Sequence, residues 1–328
     1  MKRYFTLILL ILTVFFLFNE SSFAVEKKSN IQKASVSTNA NLETELYKKA
    51  EIQLDRQLYR EYRIAERIIR ANKLDNYPWV IEIPNSKDYV VNASTSQGNL
   101  IIIEGGTMNT FYDDVSALAF VTAHEIAHEI LRHAYFKSRN DQILDKNLQD
   151  EINSAKGDIP DLINKYIILT PIMGGYGASS VVKASWDQEN QKLENKKTEN
   201  EYDKLAFSRK CEYEADKLAL IMIIRAGFLP QNSIRVFEFL KRMPSSIDDA
   251  ASHPSDENRI VQIESLIKNL DTVQLKKEGS YNIKNSKPLT YERTFYKEKD
   301  TLRKKTIVIN SKYATEEVNE PFRKMFGK

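Results

Sequence analysis

The chain has 328 residues, enough for one large domain or two of ordinary size with a substantial core. Apolar residues make up 42% and charged residues 28%, which excludes wholesale disorder and collagen-like repeats; a net charge of +3 gives no strong electrostatic claim on nucleic acid. A single cysteine rules out an intramolecular disulfide and any cysteine-rich zinc site, and with only four histidines their positions carry weight.

The first stretch reads as a targeting segment. Lys2 and Arg3 precede an apolar run from Tyr4 to Phe18, and Ser22 and Ala24 have the small-residue spacing of a signal-peptidase site. The run falls short of the about 20 residues a membrane span needs. A cleaved export signal ending at Ala24 is expected, with an uncleaved anchor as the alternative. Residues 25–41 read as a flexible polar lead-in. Residues 42–73 lack Pro and Gly and place Leu54, Leu58, Tyr62, Ala65 and Ile69 at helical spacing. Val80 to Ile83 and Tyr89 to Val91 are short β-prone pieces. Leu100 to Ile103, followed by Gly105 and Gly106, reads as a buried strand.

Residues 114–132 are strongly apolar and unbroken, with Asp113 and Asp114 where a helix N-terminus favours negative charge, so a buried helix is expected. Residues 134–200 read as a long, mostly polar connection. Its insert from Tyr166 to Gly177 contains Pro171 and several glycines, which argue against a membrane span; it reads as a core-packing piece, with an exposed substrate or membrane contact as the alternative. A helix is expected from about Tyr202 to Ala226, ended by Gly227 and blocked by Pro230, and another from Gln231 to Arg242. From 271 onward the chain is lysine-rich, with a β-like piece at Thr306 to Ile309. No repeat of solenoid period is present.

The chemistry-bearing constellation is His124-Glu125-Ile126-Ala127-His128. Histidines four apart share a helix face, and both imidazoles can reach one tetrahedral zinc ion. Glu125 is badly placed as a ligand, yet it can reach a water on that ion. It would take the proton as the water attacks a carbonyl and pass it to the leaving amine. The plainer alternative is a pair of core histidines bonded to carboxylates, but a glutamate buried between them without a metal is costly. A third ligand is needed. Glu212 and Asp216 also lie four apart; one can bind the metal while the other holds a ligand imidazole by its free N–H. Such a pair is usually a solvated face, but here Leu218 to Ile224 follows, so the helix is buried and its carboxylates need partners.

Further pieces recur in order over about residues 45–268. They are Asn92 with Gly98 to Gly106, Ala123 to His133, Ser208-Arg209 with Glu212 to Asp216, Ala226 to Pro230, and Ser252-His253-Pro254 with Arg259-Ile260. On these residues the chain resembles the zinc metallopeptidase family of the CAAX prenyl proteases, peptidase family M48, and in particular its soluble, exported BepA-like branch. The resemblance implies a predominantly helical α+β fold of the gluzincin type, a zincin with a small sheet beside the HExxH helix. It implies one Zn2+ per chain held by His124, His128 and Glu212, Glu125 as general base, and Asp216 supporting a ligand histidine. It favours Glu212 over Glu214, a choice that helical geometry leaves open because the two point to different faces. His133, five residues beyond His128, is off the zinc face and has a structural reading. His253 could fill an open metal position at rest or stabilise the oxyanion; the plain reading is a surface-loop histidine. The strand at Leu100 to Ile103 could accept substrate as an added β-strand, or be an ordinary interior strand.

The chain lacks the transmembrane helices of the prenyl-protease branch, so prenylated substrates are not expected, and no helical repeat array follows. The connection between His133 and Glu212 could form a lid. The expected organisation is a signal peptide at 1–24, a lead-in at 25–41, a metallopeptidase domain at 42–270 and a Lys-rich extension of unassigned role at 271–328. The expected function is that of an exported zinc metalloendopeptidase acting on misfolded or misassembled envelope polypeptides, in the periplasm or outside the cell. Nucleic acid is not an expected partner; peripheral membrane association and oligomeric state stay open. The rival readings are a catalytically silent zinc-binding chaperone or scaffold, and a zinc hydrolase of non-protein amides or esters.

Overall fold

The apolar-spaced stretch ahead of residue 73 forms two helices in the computed structural model, which describes residues 39–84, 89–96, 98–157, 159–243, 253–294 and 305–309. The export signal at 1–24, residues 25–38 of the lead-in and Ser252 lie outside the described residues. In chain order the elements are α1 (39–53), α2 (Arg56–Ala71), β1 (Trp79–Ile83), β2 (Ala93–Ser96), β3 (Leu100–Ile103), α3 (Gly105–Thr110) and α4 (Val115–Ile130). There follow α5 (His133–Gly157), α6 (Ile159–Ala226), α7 (Asn232–Leu240), α8 (Asp256–Asn269), α9 (Thr272–Asn285), β4 (Tyr291–Thr294) and β5 (Lys305–Ile309). The break between α1 and α2 falls at Asp55. Its carboxylate accepts the backbone N–H groups of Gln57 and Leu58 and so caps α2 at the expense of a continuous helix.

The described residues of Met1–Lys87, Ile224–Phe228 and Asp271–Lys328 form one compact unit. Here β1 pairs antiparallel with β5, Trp79 opposite Ile309 and Ile83 opposite Lys305, and β4 pairs antiparallel with β5. Helix α2 packs on β1 and β5, and α9 packs on α2. Leu54, Leu58, Tyr62, Ala65 and Ile69, all five positions read at helical spacing, are buried in this core with Trp79, Ile81, Ile307 and Ile309. Buried Arg70 is satisfied by Glu66, Glu43 and the carbonyl of Ile283. The lysine-rich stretch after 271 therefore contributes a helix and two strands here. Its helix α9 escaped the sequence reading because apolar residues are sparse along it. Gly279 of α9 lies so close to Arg225 that a Cβ there would sit 1.8 Å from the Arg225 carbonyl oxygen.

The second unit comprises the described residues of Asp88–Ile223 and Leu229–Leu270. The expected buried helix is α4, with Ala117, Leu118, Ala119, Phe120, Ala123, Ile126 and Ala127 all in the core. Asp114 caps it through the Ala117 N–H and also accepts from the Asn232 side chain at 2.7 Å, which ties the start of α4 to α7. Phe237 of α7 meets Phe120 edge-on at 5.6 Å. Strands β2 and β3 pair antiparallel, Ala93 opposite Ile103, and α4 packs against both.

Two expectations need correction. The β-prone Tyr89 to Val91 is not a strand; the pairing segment is Ala93–Ser96, which has no apolar signal of its own. Residues ahead of it wrap the start of α3 instead: Asn92 accepts from the Glu104 N–H and the Thr107 hydroxyl, and Gly106 lets the Val90 carbonyl approach closely. The polar connection of 134–200 is helical, forming α5 and most of α6. Charged and amide side chains join these helices, Lys204 to Asp145 at 2.6 Å, Asn200 to the Leu144 carbonyl at 3.3 Å and Lys137 to Ser208 at 3.3 Å. Polar helices need such pairing in place of an apolar stripe, which is why periodicity did not reveal them. The side chains of the insert at Tyr166 to Gly177 lie outside what the structure describes. As expected, Gly227 ends α6 with φ +85. No described helix is long and apolar enough to cross a membrane.

The contact at Gly279 makes a direct prediction. Gly279→Ala should destabilise the protein by about 1–3 kcal/mol, because rigid backbone must move aside. Urea unfolding followed by circular dichroism checks this; an unchanged midpoint would contradict the packing.

Candidate metal centre

Two helices supply the central groups. Helix α4 presents His124 and His128 one turn apart, and the later part of α6 presents Glu212 and Asp216. His124 Nε2 lies 3.1 Å from His128 Nε2. Glu212 reaches both rings, Oε2 at 3.4 Å from His124 Nε2 and Oε1 at 3.5 Å from His128 Nε2. One donor atom from each of the three residues lies within 4.8 Å of the others. Glu214 points elsewhere, with Oε2 3.4 Å from His133 Nε2, so the structure separates the two glutamates that helical geometry left open.

Around this trio the partners are specific. Asp216, fully buried, places Oδ1 3.0 Å from His124 Nδ1. Arg259 of α8 donates to both Asp216 oxygens at 2.7 Å, and its guanidinium lies 4.5 Å from the Phe237 ring centre. His253, half exposed, brings Nδ1 to 3.2 Å from Glu212 Oε2. Arg259 entered the sequence reading only as part of a recurring motif. Its ionic role was invisible there, since 43 residues separate it from Asp216 and no local pattern links them. Glu129 was missed as well: the Asn99 backbone N–H and the Thr95 side chain stabilise its carboxylate, which links α4 to the β2–β3 hairpin.

The electrostatics follow from burial and neighbours. Burial disfavours charge on His124, but Asp216 and Glu212 overcome it and raise its pKa to about 10. Burial and then the His124 charge push His128 down to about 3. Glu212 is held far below the usual carboxylate range: burial opposes its charge, and the hydrogen bonds and charges of His124, His253 and Arg259 outweigh that. Glu125 is pushed up to about 7, chiefly by burial.

The donor set fits a metal ion. Two imidazole nitrogens 3.1 Å apart cannot both present lone pairs to each other without a proton or a cation between them. Glu212 Oε2 is buried and faces that space, ringed by His253 Nδ1 at 3.2 Å and by His124 Nε2 and an Arg259 nitrogen at 3.4 Å. Two imidazoles and one carboxylate are a zinc-type set that leaves a fourth position open.

Comparison with known proteins agrees with this geometry. The sequence matches Peptidase family M48 over residues 55–267, well over half of the chain. The chain belongs to peptidase family M48. It is 25% identical to the mitochondrial metalloendopeptidase OMA1 of Saccharomyces cerevisiae over 57% of this chain and 46% of that protein. The human mitochondrial metalloendopeptidase OMA1 is 26% identical over 61% of this chain and 35% of its own length. The Arabidopsis thaliana protein of the same name is 25% identical over 58% and 32%. The aligned part thus spans less than half the length of these three relatives. No solved structure gives a significant match. The family and the helix-rich α+β fold expected from the sequence are both borne out.

Two predictions follow from the charges. His124 is protonated at pH 7, because its pKa is raised to about 10, and it must lose that proton to become a ligand. Zinc titrations by calorimetry, in buffers of different ionisation enthalpy, should show release of about one proton per ion at pH 7; binding without proton release would contradict this charge state. Arg259→Ala leaves Asp216 as a buried charge without its bidentate partner and should cost about 3–5 kcal/mol of stability in the metal-free protein. Urea denaturation measures it, and a loss within error of zero would show that the pair is not load-sharing.

Proposed function

We propose that the chain is an exported zinc-dependent endopeptidase that cleaves extended or unfolded polypeptide. The observation that carries this reading is the convergence of His124 and His128 from one helix and Glu212 from another, beside a buried carboxylate, Glu125, that none of the three uses. Membership of a peptidase family supports it, as do relatives named metalloendopeptidases.

His124, His128 and Glu212 would hold the zinc ion. When bound, zinc supplies Lewis acidity, polarising a carbonyl and lowering the pKa of a nearby water. Asp216, clamped by Arg259, orients His124 from behind. Glu125 acts as the base: its carboxylate takes a proton from the attacking water and returns it to the leaving nitrogen. A pKa of about 7 lets it do both near neutrality, and a cation beside it draws that value down. His253 sits on the half-exposed side of the trio, where its N–H can meet developing negative charge on the substrate oxygen.

The substrate is read from the strand beside α4. Among the described residues of this unit β2 pairs with β3 on one side and is only partly buried, which leaves its other edge to receive an extended chain. Backbone pairing to such an edge recognises extension rather than sequence and suits unfolded chains. The basic start, the apolar run of 4–18 and the small residues before position 25 support export, and with it a role in clearing misfolded envelope proteins.

Glu125→Gln tests the reading. The variant should bind zinc as the unsubstituted chain does and lose casein hydrolysis by about a hundred- to ten-thousand-fold. In the unsubstituted enzyme, kcat/KM should rise with pH along an acid limb at or below about 7, since only ionised Glu125 accepts a proton. Zinc binding with no hydrolysis by either form would favour a silent binding module.

A further inference from the structure

His133 is five residues beyond His128, a spacing that in a continuous helix puts two side chains on faces about 140° apart. Here the helix does not continue. Helix α4 ends at Ile130, Arg132 takes a left-handed φ of 54, and α5 starts at His133 itself. The turn folds His133 back onto α4. Its Nδ1 lies 3.0 Å from His128 Nδ1, with the rings edge to face at 80° and 4.8 Å between centres. The residue is 5% exposed, so water does not compete for that contact. On its far side Nε2 lies 3.4 Å from Glu214 Oε2.

Proton placement follows from valence. His128 Nε2 faces His124 and Glu212, so as a metal ligand it must offer its lone pair there and carry its one proton on Nδ1. The nitrogen 3.0 Å away must then be the acceptor, which places the His133 proton on Nε2, towards the Glu214 carboxylate. We infer that His133 is a positioning residue for the metal: it accepts the Nδ1 proton of His128, fixes that ring's tautomer and orientation, and is itself oriented by Glu214. The inference rests on reading His124, His128 and Glu212 as ligands of a divalent cation. It makes the two ligand histidines parallel in design, His124 backed directly by Asp216 and His128 backed through a second imidazole by Glu214.

The test uses the full chain and zinc affinity measured by competition with a chromophoric chelator. His133→Leu should weaken zinc binding about 10- to 100-fold. His133→Asn, whose side-chain oxygen can stand where Nδ1 stands, should recover most of that loss. Long-range proton–nitrogen spectra of the unsubstituted, zinc-loaded protein should show His128 protonated on Nδ1 and His133 on Nε2 alone, a readout that does not depend on any variant folding. Unchanged affinity in His133→Leu, equal losses in the Leu and Asn variants, or a His133 proton on Nδ1 would each overturn the inference. Failure of the unsubstituted chain to take up zinc would instead overturn the ligand reading beneath it.

Discussion

Two carboxylates on one buried helix face are the constraint from which the site's architecture follows. Glu212 and Asp216 sit in a part of α6 otherwise filled by Ala215, Ala219, Leu220 and Ile223, where an ionised group without a partner would cost several kcal/mol. Each neighbour of those acids answers that cost. Arg259 enters from α8 to meet Asp216 with both nitrogens, His124 turns one ring nitrogen towards each acid, and His253 approaches Glu212 from the solvent side. The acids therefore organise three separate chain segments, and the space left among Glu212, His124 and His128 has a shape and charge suited to a cation.

The scaffold holds these groups by ordinary means. Asp114 starts α4 and grips α7 in the same contact, which sets where along the helix the histidine pair stands. Phe237 touches both the Phe120 ring and the Arg259 guanidinium, so a single ring links the helix of the histidines to the arginine that neutralises Asp216. Glu129 ties the opposite end of α4 to the β2–β3 hairpin. The two histidines and Glu125 are thus carried by one helix tied down at both ends, as sites of high geometric precision require.

Much of this was legible in the linear order of residues. The helix at 115–130, the helical character of 202–226 within α6, the strand at 100–103, the stop at Gly227 and the spacing of His124, Glu125 and His128 all follow from local rules that act within a few residues. Legibility failed where stability came from elsewhere. Strand β2 is made of Ala, Ser and Thr and exists because β3 offers it a partner; α5 and the polar part of α6 depend on side chains across the pair rather than on an apolar stripe. Asp55 shows the opposite case, a local cap strong enough to interrupt a stretch of helical residues.

By itself, the amino-acid order determined which groups could ligate, because residues four apart on a helix must share a face whatever surrounds them. Only the tertiary structure decided how those groups are used. It chose Glu212 over Glu214, recruited Arg259 from 43 residues away and folded His133 back onto His128. The physical reason is that helical periodicity is enforced by bonds within one turn, whereas partner choice among buried charges is settled by which distant segments pack close enough to neutralise them.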